Sequence, residues 1–173
     1  MANKEKNTLA PPDFGHLRVI GINSALADYR LVWLLNEKLS IKLARQDDLE
    51  QNDGIYPYYH CNSEGNAPSY GLLAVSYDKK SILNFKPRLD YLFIIRDNIR
   101  SAHIDSILEK IKTLNSVNYA FLMDGYMERL ESTLYELENY DTTLVIRQRY
   151  RNSPEYAKEV IRQRNILLGL EQD

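Results

Sequence analysis

The chain has 173 residues, 44% hydrophobic and 27% charged, with a formal net charge of −2. That length and mixture can bury a core of its own, which argues against the disordered class, and a lone Cys61 excludes an internal disulfide. No segment approaches the length of an apolar membrane span and the opening MANKEKNTLAPPDF lacks the apolar run of a secretion signal, so a cytoplasmic location away from the membrane is expected.

Residues 1–15 are polar, carry Pro11-Pro12 and show no period, which predicts a flexible arm. LRVIGIN reads as a strand, with Ser24 placed to cap a helix from Ala25 to about Leu39. IKLARQ alternates like a half-buried strand, and DDLEQNDG reads as an acidic turn region. IYPYYHCNSEGNAPS has two prolines and three tyrosines. It predicts a long excursion with room for an edge strand, since Pro57 is barred from a central one. YGLLAVSYD is a strand by composition and KKSILNFKPR a loop. DYLFIIR is apolar on both alternate sets, as expected of a strand covered on two sides at the centre of a sheet.

Ile104, Ile107, Leu108, Ile111 and Leu114 then recur at helical spacing behind Ser101, followed by the strand VNYAFLMD. Met127, Leu130, Leu134 and Leu137 mark another helix, while TTLVIRQRY fits either a last strand or a helical continuation. Ser153-Pro154-Glu155 is a helix start, a capping side chain followed by proline, for a helix reaching Leu168 or Gly169. The order predicts an α+β, ferredoxin-like (split βαβ) antiparallel sheet with helices on one face, an added strand or hairpin, and a C-terminal helical extension. Its parts are the arm at 1–15, an α+β domain at 16–141, and a basic extension with a helix at 142–173.

Inside the first helix, Leu31, Val32, Leu35 and Leu39 form one apolar arc, and Leu26, Tyr29 and Trp33 form a second on nearly the opposite side. A helix resting on one sheet needs a single stripe. The second should therefore meet the arm, the C-terminal extension or another subunit. Asp28 suits the first turn, where a carboxylate is favoured by roughly 0.3–1 kcal/mol. Arg30 can lay its stem on apolar surface or stack on the indole. A pairing of Arg30 with Asp90, at the start of the central strand, is the alternative, and it would be architectural rather than catalytic.

GINSALADYRLVWLLNEKLSIKLARQDDLE resembles the opening of the small bacterial IPExxxVDY family, with its S-x-L-x-D-Y-R helix entry and following DLE. In RLDYLFII, Leu89, Asp90 and Tyr91 stand where that family has V-D-Y, whereas the I-P-E positions fall on Leu83, Asn84 and Phe85 and depart from it. The resemblance spans about residues 17–123 and implies no activity, cofactor or catalytic residue.

Chemistry-bearing motifs are sparse. His60-Cys61 would point to opposite faces of a strand and lacks a CxxC, HxxxH or second cysteine, so no metal or thiol site is expected. GINSAL sits between strand and helix without the glycines of a phosphate loop, and Asp47, Asp48, Glu50 and Asp53 lack EF-hand spacing. No catalytic residue and no cofactor is expected. Charge is uneven: Asp124 to Asp141 holds six acids against Arg129, and Arg147 to Arg164 six bases against Glu155 and Glu159. The two blocks either neutralise each other or present a basic, tyrosine-interleaved surface to an acidic partner such as RNA.

The reading that follows is a non-catalytic protein-interaction or regulatory domain that self-associates or binds a protein partner. Its candidate surfaces are Asp28, Tyr29, Arg30 and Trp33; Tyr56, Tyr58 and Tyr59; Asp90 and Tyr91; and the C-terminal helix. The alternative is an RNA- or ribosome-associated protein using Arg147, Arg149, Arg151, Arg162 and Arg164. A small-molecule binder or enzyme with a pocket between the helices and Tyr56–Tyr70 ranks third.

Overall fold

A computed structural model describes residues 14–61, 68–96, 101–151 and 153–167, without the side chains at 101, 144–149 and 163–167. In chain order these form β1 (Leu17–Ser24), α1 (Asp28–Leu39), β2 (Ala44–Arg45), β3 (Leu49–Gln51), β4 (Gly54–Tyr56) and β5 (Tyr58–Cys61). Next come β6 (Ser69–Ala74), β7 (Ser76–Tyr77), β8 (Lys80–Ser81), β9 (Tyr91–Arg96), α2 (Ser101–Lys112) and β10 (Val117–Leu122). A 3-10 turn at Asp124–Tyr126 leads into α3 (Met127–Arg151), and α4 (Pro154–Leu167) follows.

Six strands form one sheet in the order β10-β1-β9-β6-β5-β2, every adjacent pair antiparallel. It follows that β1 runs parallel to β6, and β9 to β10. The interior position of β9 explains its composition: Tyr91 to Ile95 are all buried because strands flank it and both faces are covered. On one face, alternate residues Ile20, Ile22, Leu72, Phe93 and Ile95 pack with Leu31, Val32 and Leu35 of α1 and Ile104, Ile107 and Ile111 of α2. Each such side chain contributes about 1.5–3 kcal/mol by leaving water. The other face also excludes water at Val19, Leu73, Leu92 and Ile94. There the side chains of Leu89 and Met123 press on Gly21, where a β-carbon would stand 2.9 Å from either.

Several local expectations need correction. Helix α1 begins at Asp28, with Ala27 as an N-cap that makes no side-chain bond. Ser24 does not cap it, because β1 bulges between Asn23 and Ser24 and the hydroxyl is used in the turn. It accepts the Leu26 N–H at 3.2 Å and donates to the Ser116 carbonyl at 2.8 Å. The acidic turn region is a β3–β4 hairpin whose two-residue loop, Asn52-Asp53, takes φ of 49° and 58°. The tyrosine-rich segment is no excursion over its described part: β5 pairs on both sides, with β2 and β6, and Pro57 is confined to the step between β4 and β5. The expected strand YGLLAVSYD stops at Ala74: its later residues Ser76-Tyr77 form β7, which pairs with β8 in the expected loop and turns at Asp78-Lys79 with φ of 45° and 63°.

TTLVIRQRY is helical, the continuation of α3. Ser153 does cap α4, its Oγ accepting the Tyr156 N–H at 3.2 Å. The chain divides into two compact units, Met1–Glu131 and Ser132–Asp173, earlier than the sequence-based division after 141. The expected arm at 1–15 lies almost wholly outside the described residues. Among those described, no helix is long and apolar enough to cross a membrane.

Candidate interaction site on the first helix

Helix α1 carries the two arcs expected of it, but they have different fates. Leu31, Val32 and Leu35 are buried, and Leu39 is half-buried. On the second arc only Leu26 reaches the core, while Tyr29 is 60% and Trp33 64% exposed. These rings sit one helical turn apart, and the Arg30 guanidinium lies 5.9 Å from the centroid of the Tyr29 ring. A bare Trp-Tyr-Arg face is the residue set that dominates protein contacts, because large rings bury area while losing little rotamer freedom.

The start of α1 is held from below by a polar clamp. Asp28 has a side chain only 15% exposed, and it accepts the Arg45 guanidinium and the Tyr59 hydroxyl, each at 2.9 Å. Arg45 lies over the Tyr59 ring at 5.1 Å, bonds its hydroxyl at 3.1 Å, and also pairs with Asp48. The acid expected to serve the helix terminus therefore also ties α1 to β2 and β5. Burial pushes the Tyr59 phenol above its ordinary pKa, the bond to Asp28 acts in the same direction, and Arg45 opposes it. Beside the clamp, the buried Tyr91 hydroxyl donates to the Leu26 carbonyl at 2.5 Å, fixing the turn that enters the helix.

A second polar group surrounds Asp90. Its Oδ2 accepts from Asn23 Nδ2 at 2.7 Å and from the Ser24 N–H at 3.2 Å, and its Oδ1 from Arg88 Nε at 3.1 Å. Asn23 in turn accepts from Asn118 Nδ2 at 2.8 Å. The proposed Arg30–Asp90 pair is not formed: Asp90 is occupied by these three donors, and Arg30 stays outside on Tyr29. Asp90 fastens the bulged end of β1 to β9, which is architecture by another route.

The remaining candidates separate clearly. Tyr56, Tyr58, Tyr59 and Tyr91 are buried, so they are core residues and not contact surface; the polar tips of Tyr59 and Tyr91 find partners inside, and the Tyr58 ring stacks on His60. Arg151 and Arg162 are exposed on α3 and α4; Arg147, Arg149 and Arg164 belong to the same helices, their side chains outside the described residues. An open cleft of about 760 Å³, bordered by Phe14, Arg18, Asp124 and Glu131, and another of about 690 Å³ along Ser76–Arg88 are not bordered by Tyr56–Tyr70. The sequence reading missed Arg45, Asp48, Asn23 and Arg88. Only the alternation of IKLARQ, which puts Leu43 and Arg45 on one face, could have hinted at the first.

Comparison with family models, with curated proteins and with solved structures gives no match for this chain.

Proposed function

We propose that this protein is a non-catalytic interaction module that meets a protein partner through the exposed face of α1. The observation that carries the reading is the bare pair Tyr29 and Trp33 on a helix whose base is clamped by Asp28, Arg45 and Tyr59. A rigidly held aromatic face loses little freedom on docking, which favours recognition. Asp28 is paired with Arg45, and Asp90 with Arg88, so these charges hold the base of α1 and the join of β1 to β9, which supports an architectural role for them. The strand order β10-β1-β9-β6, with α1 and α2 on one face, supports a ferredoxin-like split βαβ core to which β5 and β2 are added. Membership of the IPExxxVDY family is part of the same proposal, resting on the opening block and the Leu89-Asp90-Tyr91 element. So is a cytoplasmic setting, supported by the lone cysteine.

The alternative, RNA association, draws support from Arg151 and Arg162 exposed on α3 and α4 with the exposed Tyr150. One experiment separates the two: a photo-crosslinking amino acid is placed at position 33 or at position 162 and activated in cells at native expression level. Protein adducts at 33, absent when the crosslinker is moved to Glu109, support the module. RNA adducts at 162 alone favour the alternative, and silence at both positions removes both readings.

A further inference from the structure

The geometry points to a second copy of this chain as the occupant of the α1 face, docked antiparallel about a two-fold axis passing between Trp33 and Leu34. This deepens the interaction reading and rests on it.

Around the helix axis, at 100° per residue, Tyr29, Arg30 and Glu37 all fall within about 60° of Trp33. Arg30 and Glu37 lie on the same flank of the indole, and both are exposed. Seven residues separate them, about 10 Å along the axis, which is beyond ion-pair reach within one helix. Neither is bridged to any other described residue; Arg30 makes only its contact with the Tyr29 ring. The face thus displays one uncompensated positive and one uncompensated negative charge on either side of a central indole.

That pattern is self-complementary under one operation. A two-fold axis perpendicular to two antiparallel helices keeps a residue on its flank and inverts its height. Positions 30 and 37 are equidistant from the midpoint between 33 and 34, so Arg30 of each copy arrives opposite Glu37 of the other, giving two equivalent ion pairs. Trp33, next to the axis, meets its own symmetry mate, and the Tyr29 rings close the opposite flank. A parallel pairing, about an axis running along the helices, would send the two copies of Arg30 to opposite flanks and leave each about 10 Å in height from the other copy's Glu37, so it forms neither ion pair. The register therefore follows from charge as well as from apolar area. One face of a three-turn helix is small for an interface, so the dimer is weak, with a dissociation constant on the order of 10–100 μM.

Charge reversal tests this on the whole purified chain. Sedimentation equilibrium should show a monomer–dimer equilibrium, and the emission of Trp33, the single tryptophan, should shift to the blue as dimer forms. R30E alone and E37R alone should each weaken the dimer by roughly tenfold or more, because each sets like charges together twice. Mixed in equal amounts, the two variants should associate again, since every contact between them joins opposite charges, and the double variant R30E/E37R should associate on its own. The rescue by mixing also shows that both variants fold. A single reversal without effect, or a mixture that stays monomeric, overturns the inference. If the wild-type chain is monomeric up to on the order of 1 mM while position 33 still captures another protein in cells, the second copy is ruled out and the interaction reading stands. With neither dimer nor capture, both fall.

Discussion

Tyr91 shows how a tyrosine in this chain becomes structural. Burial pushes its phenol well above the usual value near 10, and the charges of Asp28 and Asp90 push the same way. An unfolded chain releases that proton first, so above about pH 10 the unfolded state binds fewer protons than the folded one. The stability tied to the neutral phenol is therefore intact below about pH 10 and is lost progressively as pH rises towards the folded value. Urea midpoints should fall in that alkaline range. Tyr91→Phe should flatten the fall in part, because Tyr56, Tyr59 and Tyr70 are also shifted upward by burial. Parallel curves for the two proteins would show that Tyr91 is not among the groups responsible. Residue type alone does not reveal this role. A tyrosine pattern reads as contact surface until its direction is known, and Tyr59 turns inward because Asp28 and Arg45, distant in sequence, satisfy its hydroxyl.

At the scale of elements, legibility followed the number of faces an element buries. β9 was readable because both of its alternating sets are apolar, and α2 because one wide stripe repeats at helical spacing. β2 shrank to Ala44–Arg45 because its pairing depends on β5 and not on its own pattern, and the acidic stretch closed into a local hairpin through Asn52-Asp53, a two-residue loop without glycine. The two hairpin turns carry a further consequence. Both centre on residues with positive φ and no glycine, and of the four Lys79, at 63°, is the least suited to that region. Lys79→Gly relieves about 1–2 kcal/mol of left-handed strain against roughly 0.5–1 kcal/mol of added chain freedom in the unfolded state. Chemical denaturation should show a gain of about 0.5–1 kcal/mol; no gain would mean that the β7–β8 hairpin opens before the sheet does.

For the whole molecule, the site and the fold share one fastening. Arg45 bonds Asp28, the residue before Tyr29, and so sets the base of α1. Arg45→Met keeps the apolar stem and removes the donors. Because Arg45 is partly exposed, stability should drop by no more than about 1 kcal/mol in thermal or urea unfolding. The dimer dissociation constant should nevertheless rise, by roughly threefold or more, as the helix base loosens. An unchanged constant would separate the clamp from association. None of this coupling was legible in the sequence, since Asp28 and Arg45 are joined only once α1 and β2 are in place.

The same fastening changes what harm a substitution can do. A chain altered at position 45 would lose little stability and unfold near its ordinary midpoint, while the proposed pairing of two copies weakened. Damage of that kind would be silent in isolation and visible only in company.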